Sequence, residues 1–110
     1  MTPEQECRFS WLYLSVNILR YHYGKPFIIT SGFRTPAEQK KINPKAMKSA
    51  HTLGAACDIY DHDGALWKWL MEHIALVEEC GVYLESKNFT PTWVHMQVVA
   101  PKSGNRIFLP

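Results

Sequence analysis

No stretch of this 110-residue sequence stays apolar for the roughly 18–20 residues a membrane span needs. Nor does the N-terminus, MTPEQECRFSW, show the basic start and apolar run of a secretory signal. The protein is therefore expected to be made in the cytoplasm without a signal of its own and without membrane insertion. Charge of one sign is also scarce. Twelve Lys and Arg against ten Asp and Glu leave a net +2, and the basic residues are scattered rather than massed in a stripe. That pattern speaks against nucleic acid as a partner and permits only weak attraction to anionic surfaces such as cell-wall polymers. Cysteine is sparse and odd in number. Cys7, Cys57 and Cys80 have no paired spacing and are expected to be buried, reduced thiols. Internal repeats and low-complexity segments are lacking, which excludes solenoids and disordered tails.

What is present suits a globular core in a single domain spanning 1–110. Hydrophobic residues make up 46% and charged residues 20%, and four Trp, five Tyr and five Phe make part of that core aromatic. Thr2-Pro3-Glu4-Gln5 reads as a helix start, with Thr2 as cap, Pro3 in the first turn and Gln5 closing a capping box. Leu12, Val16, Leu19 and Tyr23 then recur at helical spacing up to Gly24. Phe27–Thr30 reads as a strand, residues 36–42 as a helical turn or two, and Ala55–Tyr60 as a second strand. A second helix is predicted from about Ala65 to Cys80, with Leu66, Leu70, Ile74 and Val77 as its apolar stripe and Gly81 as its stop. Residues 82–85 and 93–99 alternate as strands joined by SKNFTPT, and 106–109 offers an edge strand. Two main helices with a mostly antiparallel sheet make the fold class α+β.

Zinc in catalytic sites usually takes three His, Asp or Glu ligands and keeps a fourth position for water. The segment from Ser49 to Asp58 places His51 in a loop and Asp58 inside the following strand, and Trp93-Val94-His95 places a second histidine on a later strand. Strand alternation puts Asp58 on the face opposite Cys57 and Ile59, and puts His95 with Trp93 and Gln97 opposite Val94, Met96 and Val98. Ala56 and a flexible Gly54 would leave room for a metal and its water. Spacing alone leaves open a metal site or two surface histidines. His22, His62 and His73 have no partner at ligand spacing and read as surface or packing residues. Asp61 and Asp63 lie in a turn that reads as the cap of the second helix.

Three ordered stretches narrow the choice: SGFRTPAEQ at 31–39, S-x-H-x-x-G-x-A-x-D-I at 49–59 and W-x-H at 93–95. Together they resemble the M15 zinc peptidases, a family of D-Ala-D-Ala carboxypeptidases, dipeptidases and bacteriophage endolysins that shares the hedgehog/DD-peptidase fold. The resemblance implies a Zn2+ cofactor held by His51, Asp58 and His95. It also implies that Arg34 pairs with a substrate carboxylate or a developing oxyanion, with Gln39 and Ser49 of the same motifs contacting substrate beside it. The implied activity is metal-assisted cleavage of peptidoglycan peptides, as carboxypeptidase or endopeptidase. The implied setting is the bacterial cell wall, reached as a free lysin or as a virion component among other virion proteins.

The family's acidic residue, which takes the proton from water, normally lies three residues before the last zinc-ligand histidine, or in some relatives two residues after it. Here those positions are Thr92 and Gln97, both neutral. If 81–85 and 93–98 form a hairpin, Glu85 shares the open face with His95; the simplest register sets it opposite Trp93 and diagonal to His95. Glu85 is thus the expected general base. The alternative is a catalytically inactive, zinc-containing cell-wall-binding or virion structural module.

Overall fold

The computed structural model describes residues 2–32, 38, 41, 42 and 50–110. Helix α1 spans Pro3–Tyr23 and opens as its sequence dictates: the Thr2 side chain accepts from the Gln5 backbone N–H, and the Gln5 side chain accepts from the Thr2 N–H. Gly24, at φ 80°, ends it in the left-handed conformation. Leu12, Val16 and Leu19 are buried, and Tyr23 packs at the edge of the core.

Five strands form one sheet in the order β1-β2-β4-β3-β5: β1 Ile29–Ser31, β2 Ala56–Tyr60, β3 Tyr83–Glu85, β4 Trp93–Gln97 and β5 Ile107–Phe108. All pairings are antiparallel except β3 with β5, which is parallel. The first strand starts two residues later than Phe27, although the Ile28 carbonyl already accepts from the Tyr60 N–H. Of the helical turn expected over 36–42, only Glu38, Lys41 and Ile42 are among the described residues, and they are helical.

The helix predicted from Ala65 to Cys80 is divided into α2, Ala65–Glu72, and α3, Ile74–Glu79. His73 causes the break. Its backbone N–H turns to the Leu70 carbonyl three residues back, and its ring Nδ1 takes the Trp69 carbonyl at 2.8 Å. The ring therefore satisfies the group the backbone abandons. As expected, Asp61 and Asp63 cap α2: Asp61 accepts from the Leu66 and Trp67 N–H groups, and Asp63 from that of Ala65.

One face of the sheet, carrying Cys57, Ile59, Leu84, Val94 and Met96, packs on Leu12, Val16 and Leu19 of α1, Leu66 and Leu70 of α2 and Val77 of α3. All three cysteines are free. Cys57 is buried as expected, with burial and the Asp58 charge pushing its thiol up to about 12. Cys7 is exposed, because it falls on the solvent side of α1. The other face of the sheet carries the polar residues.

Candidate metal centre

Asp58 and His95 are direct partners across the β2–β4 ladder, so two of the expected ligands face each other in the middle of the sheet. Asp58 Oδ1 lies 2.9 Å from His95 Nδ1, and Asp58 Oδ2 lies 3.3 Å from His51 Nε2. One ligand atom from each of the three residues falls within 4.8 Å of the others. All three side chains are buried or nearly so.

His51 reaches this point from a tight turn that α1 holds in place. Gln5 Nε2 donates to the Thr52 carbonyl at 3.0 Å, and Arg8 Nε donates to the Leu53 carbonyl at 2.8 Å. Gly54 has φ 75°, and a Cβ there would sit 2.8 Å from the Gln5 carbonyl oxygen. Glycine is thus required by the close approach of α1 and by its backbone angle.

The hydrogen bonds behind the ligands decide what the ligands present. His51 Nδ1 is 2.8 Å from the carbonyl of Gly32, just beyond a slip in the β1–β2 register. A carbonyl only accepts, so Nδ1 carries the proton and Nε2 of the neutral ring offers a lone pair to the centre. On the other side, Gln97 Nε2 donates to the Val99 carbonyl at 2.8 Å. That turns the Gln97 amide oxygen toward His95 Nε2, 2.7 Å away. His95 therefore holds its proton on Nε2 and offers Nδ1 inward. Two imidazole lone pairs and a carboxylate converge, an arrangement that requires positive charge at its centre. Without a metal, the charge is supplied by protons. Burial pushes His95 down, but its hydrogen bond to Asp58 and the Asp58 charge outweigh that and raise it. Burial likewise pushes Asp58 up, yet hydrogen bonds and charge from His51 and His95 hold it well below the usual carboxylate range. Two nitrogens and an oxygen with fixed outer partners are also the donor set of a zinc site, so these residues fit the metal.

Glu85 stands closer than expected. The β3–β4 register pairs Tyr83 with Gln97 and Leu84 with Met96, which carries Glu85 opposite His95 rather than opposite Trp93. Burial raises its pKa, partly offset by the His95 charge, and the Asp58 charge adds to the rise. Phe108, paired with Glu85 from β5, sets its ring edge-on to His95 at 6.1 Å. Thr92 is exposed, and Gln97 is committed to His95 and Val99. Arg34, Gln39 and Ser49 lie outside the described residues. The outer partners Gly32, Gln97 and Val99 went unrecognised as such in the sequence. For Gln97 the signal was present, since it is two residues from His95 on the same face of a strand.

A groove of about 600 Å³ opens beside the centre, with Ala50, Gln97, Val99, Phe108 and Leu109 among its walls. A family model described as Peptidase M15 matches residues 6–97. Neither the curated proteins nor the solved structures give a match to the chain.

Proposed function

Because the chain belongs to the peptidase M15 family, we propose that it is a zinc metallopeptidase that cleaves peptide bonds in peptidoglycan. The observation that carries this reading is the enforced convergence of His51 Nε2, Asp58 and His95 Nδ1 around a point that needs a cation. Zinc bound there would supply Lewis acidity toward a carbonyl and lower the pKa of water. Glu85, across from His95 and raised above the ordinary carboxylate value, accepts the proton of the attacking water and returns it to the leaving amine. Arg34 binds a substrate carboxylate or the developing oxyanion, and Gln39 and Ser49 also contact substrate. The groove beside Gln97 accepts the peptide. The protein acts on the bacterial cell wall, as a phage lysin or a virion-borne module, and no helix among the described residues is long and apolar enough to cross a membrane.

The test is digestion of muropeptides by purified protein with and without a chelator, followed by mass analysis, together with elemental analysis of the protein. Chelator-sensitive release of a terminal D-Ala or cleavage within the peptide is expected, with about one zinc per chain. Zinc content should fall sharply in His51→Ala and His95→Ala; full occupancy in either variant would displace the site.

A second reading draws on the neutral Thr92 and the committed amide of Gln97. In it the same zinc-containing domain only binds cell wall or builds a virion. Absence of turnover on every wall peptide, with zinc bound, would select it.

A further inference from the structure

Across the sheet, the metal centre is flanked on both sides. His51, its ring tied to the Gly32 carbonyl, stands toward β1, and Glu85 stands toward β3 with the Phe108 ring behind it. Along the strands the surroundings differ. The half-exposed Tyr60 pairs with Trp93 at one end, and Ala56 pairs with Gln97 at the other, where the groove begins. A peptide whose scissile carbonyl reaches the centre therefore runs along β2 and β4 and lays one arm in that groove.

Among the described residues, the groove walls are apolar except at Gln97, Lys102 and Ser103, and Lys102 is the only charged side chain in them. Lys102 and Ser103 are the two central residues of a turn closed by the Gly104 N–H on the Pro101 carbonyl at 2.9 Å. This turn is anchored to the metal centre. Two residues before Pro101, the Val99 carbonyl accepts from the Gln97 amide, whose oxygen meets His95. Within the turn, Ser103 Oγ accepts from the Asn105 N–H at 3.2 Å, which leaves the hydroxyl hydrogen to donate. Arg8 and Arg106 are committed to the carbonyls of Leu53 and Val82. Lys102 has no ion pair or hydrogen bond of this kind among the described residues. An ammonium and a hydroxyl on the rim of an apolar groove complement a carboxylate carried on a short methylene stem. We infer that Lys102 and Ser103 bind a free side carboxylate of the substrate, distinct from any group that Arg34 takes, so that wall peptides with free side carboxylates are selected over amidated ones. The inference rests on the wall-peptide reading of the site.

Three synthetic stem peptides test it on the zinc-loaded protein. One has the D-glutamate and diaminopimelate side carboxylates both free, one has the first amidated, and one has the second amidated. If the peptides are cleaved, the contrast is read in KM with kcat nearly unchanged; if they are not, it is read in the dissociation constant by calorimetry. Amidation of at least one carboxylate should weaken the peptide severalfold, and the arm that does so identifies the group bound. Added salt should shrink the difference, because the pair lies at an open rim. Lys102→Met keeps the apolar stem and should abolish the difference, with zinc content and melting temperature unchanged. No difference among the three peptides, or a preference that Lys102→Met retains, would overturn the inference. A Lys102-dependent preference without cleavage of any peptide would instead remove the peptidase reading and leave this contact standing in a binding module.

Discussion

Gln97 has two hydrogen-bonding ends, and both are fixed: the amide N–H on Val99 and the oxygen on His95. Replacing it with Leu keeps the volume but frees the imidazole to rotate and to move its proton to Nδ1. Metal affinity should then fall about 10–100-fold, as for other outer-shell partners, with the fold intact; competition against a chromophoric chelator measures it. Glu85→Gln is the complementary experiment. It should leave zinc content and melting temperature nearly unchanged and cut turnover by about a hundredfold or more, the loss expected for a general base. Normal turnover in that variant would remove Glu85 from the mechanism. The titrating groups add a prediction of sign. In metal-free protein, His95 has a folded pKa above its unfolded value, so its contribution is full below the unfolded value and is lost as pH rises through the folded one. Asp58, with a lowered folded pKa, contributes above its unfolded value and loses that contribution only as pH falls through the lowered one. Metal binding needs both imidazoles neutral and so strengthens with pH. As pH rises from the ordinary histidine value of about 6.5 through the raised His95 value, the metal-free melting temperature should therefore drop while the increment from added zinc grows, with scanning calorimetry as the measurement.

At the scale of elements, the parts governed by local pattern were legible in the sequence. The α1 cap, its Gly24 stop and the alternation that puts Asp58 and His95 on one face all follow from residues near one another in the chain. What depends on distant partners was not. The division at His73 needs the ring to find the Trp69 carbonyl, and Glu85 is brought opposite His95 only by the β3–β4 register. The role of Gly54 belongs to the same class, because the atom it must admit is the Gln5 carbonyl nearly fifty residues away. Gly54→Ala should cost about 1–3 kcal/mol from its positive φ alone, before any shift of α1. Zinc affinity should fall with stability, since the turn that carries His51 hangs on that contact. Denaturant melts with and without zinc separate the two effects, and a variant of unchanged stability would show that the turn can relax.

Across the whole molecule, the helical layer and the polar face share a sheet but not their means of support. Among the described residues, fourteen buried side chains from three helices, the strands and the residues flanking them form the core cluster on one side, so chelation should lower the melting temperature without unfolding the protein at 25 °C. Random-coil circular dichroism in the chelated protein would contradict that division. The ladder between β2 and β4 carries one more consequence, for how the molecule comes into being. Asp58 and His95 are 37 residues apart in the chain and immediate neighbours in the sheet, with α2, α3 and β3 made in between. No local hairpin can form the site, and closing that long loop is the slow kind of step in folding. Two fragments split in the turn between α3 and β3 would carry His51 and Asp58 on one piece and His95 on the other, each without a site. Zinc uptake on mixing them would then be a clock for the joining of β2 to β4.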